Sequence, residues 1–246
     1  MEVHTHSHTE RKKFVHYFWE FFMLFLAVTL GFLVENLREH SIEIKKEKQY
    51  IQSLIADLKE DDRAISQELI VDENRIAMMD SMINVLNDAA KIHGSEGILY
   101  YWGRVSPRLG NLPVNTRTFE QLKNSGNFRL ISNIEISNRI MSYYESIPPI
   151  RLLESIFFRE FDQYKILASQ IFDPAVFRSM EMENGEVMRS GNNPSLQTYD
   201  LHLIKQLSTF TVYMNGSARG LIALAKQIHQ KGKEMIDYLQ TEYHLK

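Results

Sequence analysis

The chain contains no cysteine. That excludes disulfides, thiolate metal sites and cysteine nucleophiles together. It leaves the compartment open, because a cysteine-free domain suits an oxidising space and a cytosol alike. Catalytic signatures are equally scarce. There is no GxGxxG, no GxxxxGK followed by Ser or Thr, no HExxH and no GxSxG. Gly216-Ser217-Ala218-Arg219-Gly220 is no nucleophile elbow, since its serine is misplaced and it falls in a helical pattern. Neither a cofactor nor an enzymatic reaction is expected. The formal net charge is −3, so there is none of the basic surplus that a nucleic-acid partner normally needs. Beyond the N-terminus no second run is apolar and long enough to cross a bilayer.

What is present is a globular composition, 44% apolar and 24% charged, too apolar for a disordered chain. One segment stands out. FFMLFLAVTLGFLV carries no charge, and FVHYFWE in front extends it to residues 14–34, long enough for ~30 Å of hydrocarbon at ~1.5 Å per residue; with Glu35 closing it, the expected transmembrane helix is 14–35. Large apolar residues occupy all its faces rather than a stripe, which argues against a buried core helix. No small-x-small cleavage site follows; the next residues are Glu35-Asn36-Leu37-Arg38, so a retained anchor is expected rather than a signal peptide. Tyr17 and Trp19 sit at one end, where amphipathic rings prefer the headgroups. Arg11, Lys12 and Lys13 precede the span, and Arg38, Lys45, Lys46 and Lys48 follow it, so the basic count is nearly balanced. The compact cluster on a short tail favours a cytoplasmic N-terminus, a bacterial inner membrane and a periplasmic domain.

Glu20 is the acidic residue inside the span. At membrane depth it is a candidate for proton transfer or for pairing with another chain; nearer the interface it simply reaches water or Lys13. Ala27 and Gly31 form a small-xxx-small pair that permits close helix contact. His4, His6 and His8 alternate on the tail (residues 1–13) and offer imidazoles to a transition metal, with Glu2, Glu10 or His16 as a further ligand. Their spacing matches no closed zinc site, and the plainer reading is a polar tail.

Residues 36–246 read as a helical domain. A seam of Ile51, Ile55, Leu58, Ile65, Leu69, Ile76, Met79, Ile83, Leu86 and Ala90 recurs at spacings of three and four, with Asp62 and Asp72 in its two missing places. It predicts a long helix over 36–93 with a charged outer surface, including KEDDR. A head of shorter pieces follows over 97–194. Residues 116–124 form a helix stopped by Gly126; Ser132-Asn133-Ile134-Glu135 is a capping box; Pro148-Pro149 forces a break; residues 151–171 are helical up to Asp173-Pro174. Residues 196–244 repeat the seam pattern through Leu203, Leu207, Phe210, Met214, Leu221, Leu224, Ile228 and Met235, while Gly216 and Gly220 would admit a neighbouring helix. The expected fold is all-α: one N-terminal transmembrane helix continuing into a long helical hairpin or bundle whose two seams bury each other, capped by the helical head. Tyr100-Tyr101-Trp102, Tyr143-Tyr144 and Phe157-Phe158 are expected to fill the head's core. Arg104 and Arg108 beside them are candidates for an anion, and the other histidines, His229 among them, read as surface residues.

YFWEFFMLFLAVTLGFLVENLREH followed by EKQYIQSLIADLKED resembles a family of uncharacterised single-pass membrane proteins abundant in Bacteroidota, with Glu20, Gly31, Asn36 and Glu39 in its characteristic places. TRTFEQLKNSGNFRLISNIEISNRIMSYYES resembles the family's second block. The resemblance covers most of residues 14–146. It implies the anchor and the fold, and supplies no reaction or ligand. Three roles follow for testing. The first is a membrane-anchored, non-enzymatic interaction or scaffold protein, either a homo-oligomer or an accessory subunit bound to other membrane proteins. The second is an extracytoplasmic ligand-sensing domain signalling through a partner. The third is an ion-coupled subunit using Glu20.

Overall fold

The computed structural model describes residues 14–245 and is all-α among them. An isolated antiparallel bridge between Glu181 and Val187 is the only β pairing among the described residues. The chain divides into two compact units, Met1–Tyr50 and Ile51–Lys246. Helix α1, Phe14–Leu86, has residues in both.

In the first unit the described part is helical throughout, and its apolar side chains are bare: Phe14 is 86% exposed and Phe32 71%. In the second unit the α1 stripe is buried. Ile51, Leu54, Leu58, Ile65, Met79 and Met82 are each no more than 2% exposed. Leu54 and Met82 add to the expected seam.

The helix predicted to reach residue 93 stops at Leu86. Asp88 accepts a hydrogen bond from the Ala90 amide at 3.1 Å and caps a separate turn, α2 (Ala89–Ile92). The register therefore shifts: Ala90 leaves the seam and is exposed, and Ile92 takes the buried place. Helix α3 covers Glu96–Val105 and α4 covers Arg117–Asn124. Gly126, at φ +68°, then turns the chain into a short 3-10 helix, Asn127–Leu130. Helix α5 covers Ile134–Glu145; its cap is Asn133, accepting from the Glu135 amide at 2.9 Å, rather than Ser132 of the expected box. Pro148 opens α6 (Pro148–Ile171) from its first turn, where a missing N–H costs nothing. Asp173 caps α7 (Pro174–Ser179), and Asp200 caps α8 (Leu201–Glu242), later than residue 196 because residues 193–199 instead pack back on α3. There Gly97 lies so close to the loop that a Cβ would stand 2.7 Å from the Asn192 carbonyl.

Helix α8 runs antiparallel to α1. The side-chain links climb one helix as they descend the other: Asp62 to His229 (2.7 Å), Glu73 to Lys226 (2.6 Å), Asp80 to Arg219 (2.6 Å) and Asn87 to Ser208 (2.9 Å). The seams do not simply bury each other, however. The closest neighbour of α8 is α6. Gly220 is one point of close approach: a Cβ there would meet Leu153 Cδ2 at 3.0 Å. Gly216, by contrast, is exposed with nothing within 4 Å of its would-be Cβ. The helices α1, α6 and α8 thus form a bundle core.

Part of the expected charged surface of α1 is inside. Asp57 and Asp61 are 6% and 4% exposed. Asp57 accepts from the Thr118 hydroxyl (2.6 Å) and amide (3.2 Å); Asp61 accepts from the Asn115 amide through both oxygens (2.9 and 3.0 Å). Asp57 thus caps the N-terminus of α4 from a helix distant in sequence, a service that Thr116 beside it does not perform, and Asp61 holds the segment just before α4. Burial pushes the Asp61 carboxyl up to about 7, against the pull of the Asn115 amide.

Candidate functional site

Four places in the chain hold residues whose chemistry invites a role. The first is the exposed apolar stretch of α1. It is the one helix among the described residues that is long and apolar enough to cross a membrane, and none of its most apolar window is buried. Its leading end carries a cluster of rings, Phe18, Trp19 and Phe22, with centroids 5.9–6.3 Å apart. Glu20 lies within this ring-rich end and faces His16 one turn earlier at 3.1 Å. Ala27 is exposed, and nothing lies within 4 Å of a Cβ built on Gly31, so this face is open to a second helix. Glu35 and Arg38 form an ion pair just past the apolar run. His4, His6 and His8 lie outside the described residues. Among the described residues no three His, Cys, Asp or Glu side chains converge as a metal site would require.

The second is a meeting of Ser66, His229 and Asp62. His229 is not a surface residue; its side chain is 20% exposed and bridges α8 to α1. The trio has the residue types of a hydrolytic triad without its geometry. Ser66 Oγ and Asp62 Oδ1 approach the same ring nitrogen, Nε2, at 3.1 and 2.7 Å. A triad sets its serine and its carboxylate on opposite nitrogens, so that one orients the ring while the other receives the proton. Ser66 Oγ also lies 2.7 Å from the Asp62 carbonyl, the helix back-bond of a serine. The trio is an interhelical clamp, and it accounts for an aspartate in the seam. Asp72, the other interruption, pairs with Arg75 at 2.8 Å.

The third is the pair Gly216 and Gly220, already located: Gly220 against α6, Gly216 bare.

The fourth is a groove of about 590 Å³ bounded by α3, α6 and α7. Its walls are aromatic: Phe161 and Tyr164 from α6, Phe172 from the α6 end, Phe177 from α7. The Tyr164 hydroxyl donates to the Gly103 carbonyl at 2.9 Å, and full burial pushes its pKa up, so the phenol stays a donor and the wall stays apolar. Gly103 lets α3 lie flush on these rings; a Cβ there would stand 2.9 Å from Phe172 Cζ. Tyr100 ties the corner together, donating to the Ser195 carbonyl at 3.0 Å and accepting from the Asp173 amide at 2.9 Å. Cations rim the groove. Arg104 stands 6.0 Å from the Phe177 centroid and 3.7 Å from Glu181; Lys165 stands 4.8 Å from the Phe161 centroid; Arg108 is exposed. Arg104 and Arg108 were legible as anion candidates. Of the aromatic pairs named beside them, Tyr100, Tyr143, Tyr144 and Phe157 fill the core as expected. Phe161, Phe172 and Phe177 were the ones missed: Phe172 and Phe177 lie near helix ends, and Phe161 lies mid-way along α6, with no local signal of a groove.

Compared with models of protein families, with curated proteins and with solved structures, the chain has no match.

Proposed function

We propose that this chain is a membrane-anchored, non-enzymatic interaction protein that acts through another protein, as an accessory subunit or by self-association. The observation that carries the reading is the character of α1. Its first part is apolar on every face and wholly unburied, and its later part is the seam of a packed domain. Such surface is unstable in water and at home in lipid, where association proceeds through close contact at small residues such as Ala27 and Gly31. On this reading the tail with Arg11, Lys12 and Lys13 stays in the cytoplasm of a bacterial cell and the helical domain lies in the periplasm.

The experiment is gentle purification of the full chain from its native membrane, with cross-linking beforehand and mass spectrometry afterwards. A reproducible partner or a cross-linked oligomer is the expected result. A chain that stays monomeric and alone overturns the proposal. Because no native cysteine interferes, single cysteines at Ser41 and at Ser125 report sidedness directly. A periplasmic domain requires both to react with an impermeant maleimide in intact cells whose outer membrane has been made permeable.

A further inference from the structure

We infer that the α3–α6–α7 groove is a binding site for a small aryl carboxylate, a flat apolar body carrying one negative charge. Its size falls within the range of small-molecule sites. Charge selects the ligand's sign. Among the lining residues Arg104, Arg108 and Lys165 are basic and none is acidic. The acids nearby differ in their hold: Asp162 pairs tightly with Lys165 at 2.7 Å, whereas Glu181 approaches Arg104 only to 3.7 Å, too long for a strong charge-assisted hydrogen bond, so the arginines are the anchor. Arg108 projects from the loop after α3 with its side chain exposed. Both arginines line the groove, and either guanidinium presents the planar fork that matches a carboxylate.

The walls select the ligand's body. Phe172 and Phe177 meet at 5.3 Å with their planes 40° apart, and Phe161 stacks toward Tyr164 at 6.2 Å. These are ring faces and edges on which another aromatic ring packs well. Ala168 and Ser169 keep the α6 wall low between them. The Tyr164 hydroxyl, which would otherwise call for a polar ligand group, already has its partner in Gly103. An anchor at the rim and an apolar floor together describe a carboxylate on an aromatic body better than a bare inorganic anion.

The test uses the full-length chain in phosphatidylcholine nanodiscs, with empty nanodiscs subtracted, titrated calorimetrically with 2-naphthoate, with 2-naphthamide and with inorganic phosphate. Saturable 2-naphthoate binding is expected, with the uncharged amide and phosphate each bound at least about tenfold more weakly. Arg104→Gln with Arg108→Gln should weaken 2-naphthoate about tenfold and leave the amide unchanged. Ser169→Phe, which fills the groove from an exposed position, should abolish binding of both. Unchanged helical circular dichroism and melting of both variants keep these readings separate from misfolding. Absence of saturable binding overturns the site. Equal binding of acid and amide overturns the anion selection, and phosphate binding as tight as 2-naphthoate overturns the aromatic body.

Discussion

Helix α1 contains two kinds of apolar sequence, and their difference carries most of what the molecule teaches. Residues 14–37 bury almost nothing: Leu24 is 67% exposed, Val28 67% and Leu37 68%. In residues 51–86 the same residue types vanish inside on one stripe, with Ile51 at 0% and Leu54 at 1%, while Ile70 on the other face stays 64% exposed. Charge and arrangement both distinguish these stretches: the first is charged only at Glu20 and Glu35, and the second is laced with acids and bases. Apolar on every face needs an apolar solvent, and apolar on a stripe needs only a neighbouring helix.

The sharpest way to break the contrast is to charge the first stretch. Phe25→Arg with Val28→Arg should cost about 2.5–3.5 kcal/mol each for residence in a bilayer. Carbonate extraction of cell membranes is the measurement, and the double variant should move from the pellet to the supernatant. The same substitutions should leave the melting of the second unit unchanged, because both side chains are exposed. Retention of the doubly charged chain in the membrane would refute the anchor.

Next in size is the stripe itself. Leu54→Ala removes a side chain that is 1% exposed and should cost about 2–5 kcal/mol in chemical denaturation. Ile70→Ala, at 64% exposure on the same helix, should stay within about 0.5 kcal/mol of the parent. Equal effects would mean that this part of α1 is not packed as described.

A third contrast sets the buried acid against the exposed ones of the same charged run. Burial raises the Asp61 carboxyl to about 7. Its contribution to stability is therefore full below the ordinary carboxylate range and is lost as pH climbs through about 7, with a slope of up to about 1.4 kcal/mol per pH unit. Asp61→Asn keeps an acceptor for the Asn115 amide and removes the titration. The variant should match the parent near pH 4, exceed it at pH 8, and show a flatter profile between. Glu60→Gln, whose side chain is 60% exposed, should not change the shape of that profile. An unaltered profile in Asp61→Asn would show that the group ionises freely.

The all-α class, the long apolar stretch and the neighbourhood of the α5 start were legible because their causes are local; the starts of α2 and α8 were not, since Asp88 and Asp200 fall inside the helices expected over 36–93 and 196–244. Asp88, Asn133, Asp173 and Asp200 each cap through a side chain acting on an amide two residues ahead. What was illegible is what depends on distant partners. Nothing near Asp57 and Asp61 announces that residues 115–118 will come to them for their free oxygens. The stripes of α1 and α6 look alike to α8, and nothing local to Gly220 announces that Leu153 of α6 will lie against it. The groove likewise draws on α3, α6 and α7, so its arginines could be named from the sequence but its floor could not.

The smallest expected effect tests that last choice. Gly216 and Gly220 sit one turn apart on α8 and read identically in sequence. At Gly216 a Cβ meets nothing within 4 Å, so Gly216→Ala should gain helix propensity unopposed, about 0.5–1 kcal/mol. At Gly220 the same methyl would lie 3.0 Å from Leu153 Cδ2, so Leu153 must move and α6 with it if the rotamer is locked. Gly220→Ala should therefore gain less than Gly216→Ala or lose outright. Leu153→Ala, which opens the space, should restore the full gain of Gly220→Ala when each is compared with its own parent. Paired denaturation curves read this coupling directly. If the two glycines respond alike, and Leu153→Ala changes neither, then α6 does not approach α8 at this turn, and the bundle's closest seam lies elsewhere.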